Sequence, residues 1–476
     1  MLDSTSLELV EIVNEGLPKS ETSKKNVVIL GAGISGLVAA SELRSAGHTV
    51  TVIEASQRVG GRIRTLREPF SPGQYSEAGA MRVPQSHQLV CAYANRYSIT
   101  MRPFKSMNPN AWFCSHGHRI RLGDIVSGRV PEEFPLTEEE RGSSLQELWE
   151  KLISPYRQKV SENPNSWSRI REELQSISLR EFMQNAGWSE AAIELYGLVA
   201  GFETLLSASA AEFLGEVLQD LRANTMTIDG GMDRLPMAFL PELEGCIKYG
   251  TRVHALDQNE NGVLVHVENI GGRSIVEADV AICTLPFSIL RHIEILCEFS
   301  WDKRKAIRNL HYEDAARVFF ETTERFWESE DDISGGASVT DLAIRSVYYP
   351  EREPHGSRSV LMASYCHGQD AMRWGALTAE ERLIQARENI SVIHPGCEKY
   401  LASGHSLVWS HDPFAAGAYA FFQPHQEREL HQAIINPEGR YFFAGEHASI
   451  QHRWIEGAIE SALRAALEVH TINLEL

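Results

Sequence analysis

NVVILGAGISGLVAASELRSAGHTVTVIE, residues 26 to 54, reads as a strand, a glycine-rich turn, a helix and a second strand. Asn26 to Leu30 is a short, nearly continuous apolar run, the pattern of a strand buried on both faces. LVAASELRSA is a helix pattern with small residues on one side, and Gly47 ends it. HTVTVIE is a second strand that stops at Glu54, so the 29 residues form one βαβ unit. Gly31-Ala32-Gly33-Ile34-Ser35-Gly36 is a G-x-G-x-x-G pattern between the strand and the helix. Gly31 permits the tight turn, Gly33 lets the backbone approach a pyrophosphate, and Gly36 lets helix and strand pack closely. The pyrophosphate then sits on free N–H groups at the positive end of a helix. Glu54 lies 18 residues after Gly36. Its carboxylate suits ribose hydroxyls and repels a 2′-phosphate, which disfavours NADP.

The text after Glu54 separates FAD from NAD. Gly60-Gly61-Arg62 looks like the glycine doublet of the flavin-dependent amine oxidase superfamily, in which the adjacent arginine meets the cofactor phosphates. A distant C-terminal segment, RYFFAGEHASIQHRWIEGAIESAL (440 to 463), supplies a strand ending at Glu446 and a helix starting near Trp454. A helix N-terminus there would face the flavin pyrimidine ring, where reduction places negative charge.

Further segments extend the likeness over nearly the full chain. LELVEIVNEGL (7 to 17), GAMRVP (79 to 84), NPNAWF, IDGGMDRLP, ERFWESEDDISGG and TDLAIRSVYYP all resemble L-amino acid oxidases, the venom-type group above all. The resemblance implies an α/β fold: a glutathione-reductase-like, Rossmann-like FAD domain, an interleaved α+β substrate domain and an inserted helical domain. It implies FAD as cofactor, with Ile34, Ser35, Glu54, Ala55, Gly61 and Arg62 at the ADP half and Val253 at the adenine. Gly79, Ala80, Met81 and Arg82 would pass beside the isoalloxazine. Glu446, Trp454, Ile455, Glu456, Gly457 and Ala458 would line the ribityl and flavin side. Arg82 and Tyr365 would hold a substrate carboxylate, and Trp454 would wall the reacting carbon.

The implied reaction is oxidative deamination of an L-amino acid, with hydride passing from Cα to flavin N5, to a 2-oxo acid, ammonia and hydrogen peroxide. The residues suit it, because a guanidinium grips a carboxylate with two parallel hydrogen bonds. Two positions depart from the family. Arg317 stands where many relatives carry a lysine that holds a water near flavin N5, which opens the alternatives of a dehydrogenase or an amino acid 2-monooxygenase. Arg453 replaces a small glycine. Pointing inward it would narrow the pocket or repel cationic substrates, and pointing outward it would be solvated. An amine or polyamine oxidase is a further alternative, against which Arg82 argues.

Expected boundaries follow from pattern changes. Residues 26–70, 229–310 and 430–476 are assigned to FAD binding, 1–20, 71–129 and 311–429 to substrate binding, and 130–228 to the helical domain. The last is rich in helical patterns such as SLQELWEKLI and AAEFLGEVLQDL. Asn261-Gly262 between two β-like runs reads as a tight hairpin turn. His116 and His118 read as loop residues, not metal ligands.

The chain has 476 residues, a length prior of about three domains. With 45 Lys+Arg against 64 Asp+Glu, the charge is 45 − 64 = −19. Nucleic acid and anionic membrane surfaces are thereby disfavoured as partners. Apolar runs all fall short of the roughly 18 residues a spanning helix needs. Residues 1–25 lack a signal-peptide pattern. The seven cysteines include no C-x-x-C, and a reduced cytoplasmic protein is expected, with secretion as the alternative. Small-molecule amino acid and O2 are the expected partners, and family analogy implies a homo-oligomer.

Overall fold

The structure is a computed structural model that describes residues 4–18, 23–219, 221, 224–351 and 356–473. Five strands form a parallel sheet in the order Ile247–Lys248, Thr49–Ile53, Asn26–Leu30, Val280–Cys283, Tyr441–Phe443. Asn26–Leu30 is central, and the chain leaves it first to one neighbour and much later to the other. The crevice beyond its carboxyl end is therefore the switch point where ligands bind in such sheets.

Alternation in that strand sets the two layers. Val27 and Ile29 pack with the helices Ile34–Ser45 and Ile455–Thr471. Val28 and Leu30 face the opposite layer, built on the antiparallel strands Arg252–Asn259 and Gly262–Asn269. Each such fully buried aliphatic side chain contributes about 1.5–3 kcal/mol. The N-terminal helix Ser4–Glu15 buries Leu9, Ile12 and Val13 in the first of these cores. The stripe meets there both the helix Ile455–Thr471 and the helix Gln88–Arg96, which belong to different stretches of the expected domain division.

A seven-stranded sheet carries the other half of the molecule. Its order is Leu401–Val408, Ala315–Thr322, Ser359–His367, Ser346–Tyr348, Ala337–Thr340, Trp112–Ser115, His118–Arg121. Ala315–Thr322 is buried at every position, as an interior strand covered on both faces must be.

A group of helices runs from Glu138 to Leu218. Their starts are locally encoded. Thr137 with Glu140, Ser144 with Glu147, and Ser178 with Glu181 each form a capping box. The helical region ends earlier than expected, because Thr225–Ile228 is a strand paired with Val83–Pro84 and Met101–Pro103.

Two local expectations also change. The hairpin turn is Glu260-Asn261, since Asn259 pairs with Gly262. The Asn259 side chain accepts from both Asn261 N and Gly262 N, which makes the turn. Gly262 serves a close approach instead, as a Cβ there would lie 2.3 Å from the Ala278 carbonyl. His118 belongs to a strand, and only His116 sits at the intervening turn. All seven cysteines are free thiols. Among the described residues no group of three or more His, Cys, Asp or Glu could hold a metal ion, and no helix is long and apolar enough to cross a membrane.

Candidate active site

A cavity of about 550 Å³ opens at the switch point and extends to the seven-stranded sheet. Its size is that of a ligand site. The glycine turn forms its floor. Gly31 has φ +104°, and a Cβ would meet the Thr284 hydroxyl at 2.9 Å. A Cβ on Gly36 would lie 2.0 Å from the Gly31 carbonyl, so helix and strand touch here through glycine alone. Gly36 thus supports the turn from behind and does not line the cavity. A Cβ on Gly33 would meet nothing within 4 Å, and Gly33 lines the cavity.

The helix Ile34–Ser45 begins here with no side-chain cap. Its first N–H groups have no intrahelical partner and present partial positive charge. The buried Ser35 hydroxyl has no hydrogen-bond partner among the described residues. Glu54 is fixed by backbone amides, Ala32 N to one carboxylate oxygen and Ser56 N to the other, each at 2.8 Å. A carboxylate so held keeps acceptor sites for ligand hydroxyls. Ile34, Ala55, Gly61 and Val253 complete this part of the lining.

The C-terminal segment meets the N-terminal one at Arg62 and Glu446. Arg62 Nη1 lies 2.7 Å from Glu446 Oε1 and 3.1 Å from the Ala418 carbonyl. Glu446 also accepts from Ala420 N and Arg453 N. Burial alone would raise the Glu446 pKa, but the charges of Arg62 and His452 hold it below the usual range.

Trp454 and Arg453 both line the cavity and both are tied to one carboxylate of the helical region. Glu216 accepts from Trp454 Nε1 at 2.6 Å and pairs with Arg453 at 2.5 Å. Four residues earlier on the same helix, Glu212 pairs with His452 Nδ1 at 2.7 Å. The His87 ring stands edge-on to the Trp454 indole at 5.1 Å. Arg453 adopts φ +70°, the region that favours glycine. Its side chain, 11% exposed, is neither fully solvated nor an unmatched cation, because it is paired with Glu216.

The loop Gly79–Arg82 crosses the cavity, with all four residues in its wall. Gly79 is sterically obligatory, as a Cβ would lie 1.8 Å from the Arg62 carbonyl. Gly79→Ala must displace the loop from Arg62. The expected result is loss of bound flavin and about 1–3 kcal/mol of stability, read from the flavin-to-protein absorbance ratio and a urea melt. Arg82 lines the cavity, and its guanidinium has no hydrogen bond or ion pair among the described residues. Glu77, the nearby carboxylate, bonds instead to Thr65 Oγ1 and Met232 N. The Tyr365 hydroxyl is likewise unpartnered among the described residues, and its ring packs against His367 at 4.3 Å. Arg317 is buried in the cavity wall beside Tyr365.

Three expected lining residues stand elsewhere or behind the wall. Besides Gly36, Gly457 is packed against the Gln451 carbonyl, 2.2 Å from where a Cβ would be. Glu456 turns away from the cavity: both carboxylate oxygens accept from Leu89 N and Val90 N at 2.9 Å. The reason is helical geometry, since Ile455 and Ala458 occupy the cavity side of the turn. Burial pushes Glu456 up to about 7. Such a carboxyl holds, in the folded chain, a proton that the unfolded chain has already released. Its contribution to stability therefore falls as pH rises from about 4.5 to about 7. Relative to Glu456→Gln, the wild-type chain should lose up to about 3 kcal/mol across that interval, measured by urea unfolding at a series of pH values.

Glu216 and the trio Glu203, Arg345 and Asp370, which also lines the cavity, were not legible in the sequence. Only the i, i+4 spacing of Glu212 and Glu216 hinted that one helix face carries two buried acids.

An uncapped glycine cradle with a carboxylate beyond it, and a cavity wall assembled from both ends of the chain, define a dinucleotide-dependent oxidoreductase. Residues 34–470 match the family of flavin containing amine oxidoreductases, and the chain belongs to that family. It is a flavoprotein oxidoreductase whose cofactor is FAD. The residues present fit that group: the open side of Gly33, the unpartnered Ser35 hydroxyl, the free helix N-terminus and Glu54 are what a pyrophosphate and a ribose require.

The chain is 38% identical to the Bacillus subtilis (strain 168) protein named "Putative L-amino-acid oxidase YobN", with 98% of each chain covered. It is 32% identical to an L-amino-acid oxidase of Protobothrops flavoviridis, over 97% of this chain and 92% of that one. A solved putrescine oxidase bound to putrescine shares the fold at a TM-score of 0.73 and 20% identity, over 95% of this chain and 100% of that one.

Proposed function

We propose that this enzyme oxidises L-amino acids to 2-oxo acids, with water hydrolysing the imine to release ammonia and O2 becoming hydrogen peroxide. The observation that carries the proposal is the Arg82 guanidinium, which lines the cavity with no anion to meet among the described residues. A cation in that state matches a ligand carboxylate. An amine without a carboxylate would leave it unpaired in the closed complex, at a cost. FAD, when bound, supplies the acceptor for two electrons and the Cα hydrogen.

The chain supplies orientation. Arg82 fixes the carboxylate plane through paired hydrogen bonds, and the Tyr365 hydroxyl gives a further donor to the same group. Trp454, held by Glu216 and His87, walls the reacting carbon. Arg453, neutralised by Glu216, bounds the space for the side chain without presenting a net charge. Gly79, Ala80 and Met81 would carry Arg82 past the flavin ring of bound FAD, and Glu54, Ser35 and Arg62 would hold its ADP half. The division into a Rossmann-like FAD unit, an interleaved substrate unit and a helical unit belongs to the same proposal.

The second reading is oxidation of amines that lack a carboxylate, favoured by the fold shared with a putrescine oxidase. The two separate in one assay. The purified flavoprotein is given L- and D-amino acids and their decarboxylated amines, and peroxide and ammonia are measured. Turnover of L-amino acids alone supports the proposal. Turnover of amines alone overturns it, and flavin bleaching without peroxide in air points to a dehydrogenase.

A further inference from the structure

We propose that Arg317 is a positioning residue that locks the two arms of the carboxylate grip, the loop bearing Arg82 and the strand bearing Tyr365, into one unit. The proposal rests on the amino acid reading above. Arg317 lies on the buried strand Ala315–Thr322, directly opposite Tyr365 in antiparallel register, so the two side chains share a face. Its guanidinium carbon stands 4.0 Å above the Tyr365 ring. Its Nη1 donates to two carbonyls of the other arm, Glu77 O at 2.7 Å and Gly79 O at 2.5 Å.

One planar group thus uses its face for one arm and its edge for the other. The rest of that loop is pinned in the same manner. Trp409 Nε1 donates to the carbonyl between these two, Ala78 O, at 2.9 Å. On the loop's other edge, Ala78 N and Gly79 N donate to Arg64 O and Ala80 N donates to Arg62 O. The backbone is therefore fixed from both sides up to Ala80, two residues before Arg82.

Burial without a carboxylate partner makes a purely structural role expensive. Arg317 is 4% exposed, and its bonds go to neutral carbonyls. No carboxylate is in ion-pair contact with it among the described residues, and the charge of Glu77 acts on it only from further off. A buried guanidinium bonded only to carbonyls is costly to keep, and an apolar side chain would fill the strand position more cheaply. The Arg317 Nε is buried with no acceptor among the described residues, while the side chain lines the cavity. Lysine reproduces the arrangement only in part. An ammonium can serve two carbonyls, as Lys303 Nζ does for Ile434 O and Asn436 O, but the lysine side chain is shorter and has no planar group that stacks on one ring while its edge donates elsewhere.

The test compares Arg317→Lys with wild-type holoenzyme, using the best L-amino acid as substrate. Benzoate serves as an unreactive carboxylate competitor. The expected result is a KM for the amino acid and an inhibition constant for benzoate both raised about tenfold or more. The flavin content and the melting temperature should stay near wild type. Should Arg317→Lys fail to fold, Arg317→Gln, which keeps one N–H2 group for the carbonyls, is read in the same way. A double-mutant cycle supplies the second readout. Tyr365→Phe keeps the ring but removes the hydroxyl, and its effect on KM should shrink at least threefold in the Arg317→Lys background, since a hydroxyl no longer positioned contributes less. Unchanged KM and benzoate inhibition in Arg317→Lys, with Arg82→Met strongly impaired, overturns the role of Arg317 and leaves the amino acid reading intact. If Arg82→Met is also unimpaired, the amino acid reading itself has failed.

Discussion

Arg82→Met is expected to lower kcat/KM for the best L-amino acid by about 10²–10³-fold while flavin content and melting temperature stay close to wild type. Truncating one partner of a desolvated charged pair costs about 2–5 kcal/mol, because the other charge is left buried and unpaired. Each 1.4 kcal/mol is about a factor of ten. Here the partner left behind is the substrate carboxylate and not a group of the protein. No carboxylate or carbonyl of the described chain bonds to Arg82, so nothing in the folded state is orphaned by its removal. Methionine keeps the length and apolar stem of the side chain, which limits collapse of the wall. The corresponding decarboxylated amine should be oxidised as well as by wild type or better, since the variant no longer buries an unmatched cation. Steady-state kinetics on the substrate pair decides the matter. An unchanged KM and kcat for the amino acid would sink the carboxylate grip.

Glu446→Ala is expected to have the opposite profile, a loss of stability of about 3–5 kcal/mol together with loss of FAD. Glu446 is 6% exposed and serves three donors from three parts of the chain: Arg62 Nη1, Ala420 N and Arg453 N. Its removal leaves the half-buried Arg62 guanidinium with the Ala418 carbonyl as its remaining hydrogen-bond partner among the described residues. It also frees the backbone of Arg453, whose φ of +70° needs external support. Arg453 and Trp454 then lose their fixed place beside the cavity.

The pH dependence gives an independent check. The folded-state pKa of Glu446 lies below its ordinary 4.5. Its contribution is therefore complete above about pH 4.5 and is lost as pH falls through the folded value. In Glu446→Ala this acid limb of the stability curve should flatten. Urea melts from pH 3 to pH 8, with released flavin measured by fluorescence, test both parts. A variant with wild-type stability and flavin content would show that Arg62 needs no carboxylate here.

What the sequence alone determined about this protein is the part whose physics is local. A strand, a glycine turn and a helix within residues 26 to 54 specify the cradle, because the limits on Gly31, Gly33 and Gly36 act between residues a few positions apart. The capping boxes at Ser144 and Ser178 are legible for the same reason, and resemblance placed Arg82, Tyr365 and Trp454 in one cavity. Only the tertiary structure decided how charges are shared inside that cavity. Arg62 finds Glu446 at a separation of 384 residues, and Trp454 finds Glu216 at 238. Arg317 reaches back 240 residues to the Glu77 carbonyl. Glu456 has the same residue type and neighbourhood as Glu446, yet it caps the helix Gln88–Arg96 instead of facing the cavity. Periodicity tells which residues are buried, but a buried charge is defined by its partner, and in this chain the partners arrive from hundreds of residues away.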